Sequence, residues 1–204
     1  MTIWLVRHGE TELNAARILQ PADTPLSSHG MRQAQALAER LACEPLAGIL
    51  SSDLPRALQT AQCVAERTGL PLQTSPLLHE RNFGDWRGQP YDSLHTDPLG
   101  MSAAPPGGES AAVFGQRCRQ AFAQMLDAQR ALGGALVVVT HGLVIRALLA
   151  GLPPQAHSES AWPRLGNTSR TVIDASPPHT LRRLNCTLHL GGRLQERPDS
   201  LSGG

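Results

Sequence analysis

Ile3-Trp4-Leu5-Val6-Arg7-His8-Gly9-Glu10-Thr11-Glu12-Leu13-Asn14 is the stretch on which the reading of this chain turns. Its first four residues are bulky and unbroken by a polar group. They predict a strand buried on both faces, as in a parallel sheet covered by helices. The chain leaves that strand and at once presents an arginine, an imidazole and a glycine. In open α/β sheets, ligands bind at the carboxyl ends of strands. Arg7 offers a planar fork of donors suited to phosphate, and Gly9 lets a ligand approach the backbone closely. His8 is open to use as base, ligand or nucleophile. The same residues would also solvate a bare strand end, and this stretch alone does not choose.

Working outward, 204 residues are enough for a sizeable core. With 41% hydrophobic but only 3% aromatic residues, that core must come from Leu, Val, Ile and Ala. A formal charge of +1 gives no reason to invoke nucleic acid or a membrane surface as partner. All 18 basic residues are arginine, which removes a P-loop and Schiff-base chemistry, since both need lysine. Any anion is therefore held by arginine, histidine and backbone amides. Cys43, Cys63, Cys118 and Cys186 form no CxxC pair and are expected as buried free thiols. No signal peptide can be fitted and no apolar run approaches a membrane span, so a cytoplasmic protein is expected.

Along the chain, Ser27 is the expected N-cap of a helix through about Ala42, with Met31, Ala34, Leu37, Ala38 and Leu41 on one face. Ala47-Gly48-Ile49-Leu50 predicts a short buried strand. Ser51-Ser52-Asp53 are expected to cap the following helix, which carries Pro55 and Arg56 in its first turn. Between Pro71 and Ser110 the periodicity dissolves, as it does in a functional lid. A helix resumes from Ser110 to about Leu132 and stops at Gly133-Gly134. Ala135-Leu136-Val137-Val138-Val139 is the clearest buried strand, and it runs into Thr140-His141-Gly142 and a helix to Ala150. Two more strands are expected near Thr171-Val172-Ile173 and from Leu181 to Leu188, before a frayed tail.

Two strand ends thus carry nearly the same signature, Arg7-His8-Gly9 and Thr140-His141-Gly142. A third contributes Arg56, and the lid contributes Glu80, with His79, Glu109 and Asp85 as nearby rivals. If the strands are neighbours, these residues converge on one edge. Two imidazoles, two arginines and a carboxylic acid suit phosphoryl transfer without a metal. One histidine attacks in line, while the acid protonates the leaving oxygen and later deprotonates water. His29, His95, His157, His179 and His189 read as surface or loop residues. No metal-ligand spacing and no Gly-x-Ser-x-Gly elbow is present, so neither a metal nor another cofactor is expected.

These residues, with their neighbours, resemble the histidine phosphatase superfamily, which includes cofactor-dependent phosphoglycerate mutases. Arg7-His8-Gly9-Glu10-Thr11 with Asn14 is similar to its signature. Further blocks follow in family order: Pro25-Leu26-Ser27 through Gln33-Ala34, Ser51-Ser52-Asp53-Leu54 with Arg56-Ala57, Glu80-Arg81-Asn82-Phe83-Gly84-Asp85-Trp86, Pro106-Gly107-Gly108-Glu109-Ser110, and Thr140-His141-Gly142. The resemblance implies an α/β fold, a three-layer α/β/α sandwich with a mostly parallel sheet and a small lid insertion at about 81–109. One catalytic domain would span 1–190, with a C-terminal tail over 191–204.

It implies that His8 is phosphorylated, that Glu80 carries the proton, and that Arg7, Arg56 and His141 bind phosphate, with Asn14, Gly142 and Gln20 as further contacts. Trp86, Arg87 and Tyr91 are expected to face the substrate from the lid. Two departures stand out. Pro21 follows Gln20 where relatives often have glycine, and Arg87 stands where many have glutamate.

The expected activity is a metal-independent phosphomonoester hydrolase for a small phosphorylated metabolite, resembling α-ribazole or broad-specificity phosphatases. The alternatives are a 2,3-bisphosphoglycerate-dependent phosphoglycerate mutase and an inactive phospholigand-binding module. Mutases of the family carry an Asn-Lys pair after the glutamate, which a lysine-free chain cannot match. Neither the leaving group nor the oligomeric state is legible.

Overall fold

The computed structural model describes residues 1–152, 164–192 and 194–195, so His157 and the tail from 196 onward lie outside the described residues. β1 (Thr2–Arg7), β2 (Leu46–Ser51), β3 (Leu72–Thr74), β4 (Ala135–Thr140), β5 (Arg170–Asp174) and β6 (Leu181–Cys186) form one sheet in the order β3-β2-β4-β1-β5-β6. β1, β4, β2 and β3 are mutually parallel, whereas β5 runs antiparallel to both β1 and β6.

Alternation along the central strands explains why both faces are covered. Ile3 and Leu5 of β1, with Leu136 and Val138 of β4, point into one core. That core is closed by Phe114, Cys118, Ala121 and Met125 of α4 (Ala111–Leu132), and by Val144, Ile145, Leu148 and Leu149 of α5 (Gly142–Ala150). Val6, Val137 and Val139 point the other way. They meet Leu37, Ala38 and Leu41 of α2 (Ser28–Leu41) and Ala57, Ala61 and Val64 of α3 (Pro55–Thr68). Three layers result, each buried aliphatic side chain contributing about 1.5–3 kcal/mol.

Local signals fix most ends. Ser27 Oγ accepts from Gly30 N and Ser110 Oγ from Val113 N, so both serines are true N-caps. Gly133 closes α4 with φ at 65°, a left-handed C-cap. The expected serine cap of α3 is not formed, because Leu54 occupies its N-cap without a side-chain hydrogen bond. Ser52 is committed elsewhere: its N–H donates to Val139 O (2.9 Å) and its hydroxyl pairs with His141.

A four-residue helix α1 (Glu12–Ala15) follows the first strand end, capped by Thr11. The aperiodic stretch after Pro71 begins with β3, too short to register as a period, and continues through three 3₁₀ turns, at Pro76–Leu78, Gly84–Trp86 and Tyr91–Ser93. A further 3₁₀ turn takes Leu188–Leu190, so β6 ends at Cys186. Cys118 and Cys186 are buried, but Cys43 is exposed just beyond α2 and Cys63 is half-buried. Among the described residues no helix is long and apolar enough to cross a membrane.

Candidate active site

The sheet order puts three strand ends side by side. β4 lies between β2 and β1, with Arg7 in register with Thr140 and Ser51 with Val139. His8, His141 and Ser52 therefore leave the sheet at one level. Thr140 is fixed by its hydroxyl, which donates to Leu78 O at 2.8 Å.

The His8 and His141 rings lie 5.2 Å apart, tilted by 58°. His8 Nδ1 sits 2.7 Å from Gly9 O. A carbonyl oxygen only accepts, so Nδ1 holds the ring hydrogen and Nε2 keeps its lone pair. Burial, then Arg56 and Arg7, hold the His8 pKa well below 6.5. His141 is displaced in the same direction, by burial first, then Arg56 and His8. Its Nε2 shares a 2.9 Å hydrogen bond with Ser52 Oγ, while its Nδ1 is buried with no partner among the described residues.

Arg7 and Arg56 are each 1% exposed. Arg7 Nη1 donates to Leu165 O (2.6 Å) and Arg56 Nη1 to Pro21 O (3.3 Å). Burial, with Arg87 and Arg7 as like charges, pushes the Arg56 pKa down to about 10 against the opposing pull of Glu80. The turn beneath is packed backbone against backbone. A Cβ on Gly30 would meet Glu10 O at 2.0 Å, and one on Gly9 would meet Gly30 O at 2.6 Å. Gly9 N donates to Thr60 Oγ1 (3.0 Å), which donates in turn to Arg56 O (2.7 Å), tying the first loop to α3.

Glu80 is buried beside this pocket. Arg81 N donates to its Oε1 at 3.0 Å and Leu143 N, in the first turn of α5, donates to its Oε2 at 3.1 Å. Its rivals are engaged elsewhere. Glu109 forms a two-pronged pair with Arg117, His79 pairs with Asp53, and Asp85 is exposed. Arg117 also donates to the carbonyls of Leu77 (3.0 Å), His79 (2.7 Å) and Glu80 (3.3 Å), so α4 sets the backbone that carries Glu80.

The remaining expected contacts divide. Gly142 is buried at the start of α5. Asn14 is buried in the capping box of α1, its Oδ1 accepting from Thr11 N, and Gln20 Oε1 accepts from the Thr11 hydroxyl at 2.7 Å. Trp86 and Tyr91 pack in a lid cluster around Leu19 and Phe83, and Tyr91 OH donates to Asp97 (2.6 Å). Arg87 alone of the three lid residues is electrostatically coupled to Arg56 and Glu80.

Several buried polar residues escaped the sequence reading. Because β5 runs antiparallel, Asn167-Thr168-Ser169 enter at the same edge. Asn167 Nδ2 donates to His8 O (3.0 Å), and Thr168 N to Arg7 O (3.0 Å). His189, expected at the surface, is half-buried beside Thr168 Oγ1 at 3.0 Å, and burial lowers its pKa to about 4, with Arg170 and Arg40 assisting. Three polar residues in a row before β5, Asn167 to Ser169, were the available signal. Among the described residues no group of three His, Cys, Asp or Glu is placed to hold a metal ion.

Residues 3–187 match the model of the histidine phosphatase superfamily, branch 1. The chain belongs to that superfamily. Within it, the chain is 37% identical over 187 residues to a probable phosphoglycerate mutase of Yersinia pestis, covering 85% of each. Among solved structures it resembles mycobacterial glucosyl-3-phosphoglycerate phosphatase in complex with inorganic phosphate (TM-score 0.77, 31% identity, 92% of this chain and 98% of that one). It also resembles a putative α-ribazole-5′-phosphate phosphatase of Escherichia coli (TM-score 0.78, 31% identity, 92% and 97%). As a histidine phosphatase family member, the chain is a phosphatase- or mutase-type enzyme.

Proposed function

We propose that this histidine phosphatase family member is a metal-independent phosphomonoester hydrolase working through phosphohistidine. The observation that carries the reading is the state of His8: a buried, neutral ring with Nδ1 tied to Gly9 O, between two buried guanidiniums. Arg7 and Arg56 hold the phosphoryl oxygens and stabilise the charge that builds on them, with His141 as a further donor. His8 Nε2 attacks phosphorus in line as the bond to the ester oxygen breaks, and Glu80 gives that oxygen its proton. Water then attacks the phosphohistidine, Glu80 takes the water's proton, and inorganic phosphate leaves with the His8 lone pair restored.

The phosphatase names among the structural neighbours favour hydrolysis, whereas the curated relative's name favours mutase chemistry, which shares the first step. The deciding experiment offers phenyl phosphate, α-ribazole phosphate and 3-phosphoglycerate, the last with and without bisphosphoglycerate, in the presence of EDTA. Phosphate release is expected, with an acid-labile phosphoenzyme on quenching. His8→Ala is expected to lose both. Isomerised phosphoglycerate without net release would select the mutase, and no reaction with any compound a binding module. More than about a thousandth of wild-type rate in His8→Ala would refute the nucleophile.

A further inference from the structure

The pocket holds more positive charge than one phosphoryl group requires. Arg7 and Arg56 match a phosphate dianion, yet Arg87 and Arg146 stand at the same site. Both are half-buried, each with a buried Nε lacking a hydrogen-bond partner. Neither makes a hydrogen bond or ion pair with any described residue, whereas every other buried or half-buried arginine among them is engaged.

Their positions are fixed by the fold. Arg146 lies three residues after Leu143, whose N–H holds Glu80 Oε2, and so shares that face of α5 one turn further on. Its charge is coupled to Arg7 and Glu80. Arg87 follows the lid turn Gly84–Trp86. The next residues are pinned to the first loop, Gly88 N donating to Leu19 O (2.6 Å) and Leu19 N to Gln89 O (3.0 Å). That loop continues to Pro21, whose carbonyl receives Arg56. Arg87 and Arg146 thus border the pocket from the lid and from α5, each within electrostatic reach of Glu80, the side on which the leaving group departs.

Of the carboxylates within reach of these four guanidiniums, Glu109 is already paired with Arg117, which leaves Glu80, so a bound phosphate dianion leaves positive charge uncompensated at the mouth. A half-buried guanidinium without a partner forgoes charge-assisted hydrogen bonds, which a ligand anion would supply. We infer that the substrate carries a second anionic group, a carboxylate or a further phosphate, on the alcohol side of the scissile ester, and that Arg87 and Arg146 receive it. The inference rests on the phosphatase reading of this site. It predicts discrimination against phosphomonoesters with a neutral alcohol.

The test separates the two claims by measuring binding without turnover. His8→Ala protein is titrated calorimetrically, at fixed ionic strength, with 3-phosphoglycerate and with glycerol 3-phosphate, which differ only by a carboxylate against a hydroxymethyl group. Fructose 1,6-bisphosphate and fructose 6-phosphate form the second-phosphate arm. In at least one arm the doubly anionic member is expected to bind about tenfold or more tightly. Adding Arg87→Gln and Arg146→Gln together should abolish that preference, and Arg87→Lys or Arg146→Lys should keep part of it. Equal affinities within both pairs would overturn the inference before any arginine is changed, as would a preference that survives the double substitution in a protein with an unaltered circular dichroism spectrum. Phosphate release from phenyl phosphate by the wild-type enzyme tests the hydrolase separately.

Discussion

Acid should unfold this protein through its active-site imidazoles. His8 and His141 are buried, and burial followed by the neighbouring Arg56 keeps both pKa values well below 6.5. In the unfolded chain each takes up a proton near pH 6.5, whereas the folded protein refuses it. The unfolded state therefore binds more protons below that pH. Stability that is fully present above 6.5 is lost as pH falls toward the folded values. Each group contributes a slope of up to about 1.4 kcal/mol per pH unit once its unfolded imidazole is mostly protonated, so the pair costs at most about 3 kcal/mol between pH 6.5 and 5. That is a large part of a typical stability of about 5–15 kcal/mol. His189, held at about 4, acts in the same direction, more weakly because it is half-buried. Urea unfolding at pH 7.5, 6.5, 5.75 and 5 reads the slope directly. His8→Asn, which does not titrate, should make it shallower by about 1.4 kcal/mol per unit. A stability that is flat to within about 1 kcal/mol from pH 6.5 to 5, or an unchanged slope in His8→Asn, would refute the electrostatic account of the site.

Gly30→Ala places a methyl group 2.0 Å from Glu10 O, with backbone on both sides. A loss of about 3 kcal/mol in urea unfolding is expected, together with weaker phosphate binding, whereas a change under about 0.5 kcal/mol would show that the loop yields. Arg117→Ala removes the Glu109 pair and three carbonyl contacts, so it should cost about 3–5 kcal/mol and slow leaving-group protonation by displacing Glu80. Arg117→Lys should recover stability more than rate, and equal recovery of the two would count against a positioning role. Glu80→Gln should slow turnover by about 10²–10⁴-fold on alkyl phosphates. On p-nitrophenyl phosphate it should give a nitrophenol burst with accumulated phosphoenzyme, and the absence of a burst would remove Glu80 from the water-activation step.

Much of this molecule was legible because the relevant physics is local. Two-faced apolar runs mark β1 and β4, since each strand is sandwiched between helix layers. Ser27, Ser110 and Gly133 mark helix ends through bonds that reach only three or four residues. Arg7, His8 and His141 stand out by the same logic, each at the end of a strand that could be read.

Residues supplied by topology were harder. Thr171-Val172-Ile173 is visibly a strand, but nothing in it states that β5 runs backwards and delivers Asn167 to Ser169 to the site. Ser52 looks like a helix cap and instead pairs with His141, a partner 89 positions away in sequence. Arg117 is one of three arginines on an amphipathic helix until the backbone of Glu80 is seen resting on it. The lid resisted because 3₁₀ turns and backbone contacts such as Asp85 N to Pro106 O leave no period to read.

The properties that would equip His8 for the proposed chemistry are the same ones that expose the fold to acid. A nucleophilic imidazole must be neutral, and here it is kept neutral by burial and by two guanidiniums that cannot give up their charge. Those guanidiniums are themselves buried, Arg7 donating to Leu165 O at 2.6 Å and Arg56 to Pro21 O at 3.3 Å, so two positive charges are held beside the imidazoles away from water. Burial of Arg56 is severe enough to bring its pKa to about 10 even with Glu80 nearby. Removing an arginine would ease the electrostatics of the free protein while discarding the charge that a phosphoryl group meets in the transition state. On the proposed chemistry a bound dianion would relieve a destabilisation that belongs to the free protein, so binding and preorganisation would be two readings of one buried charge arrangement.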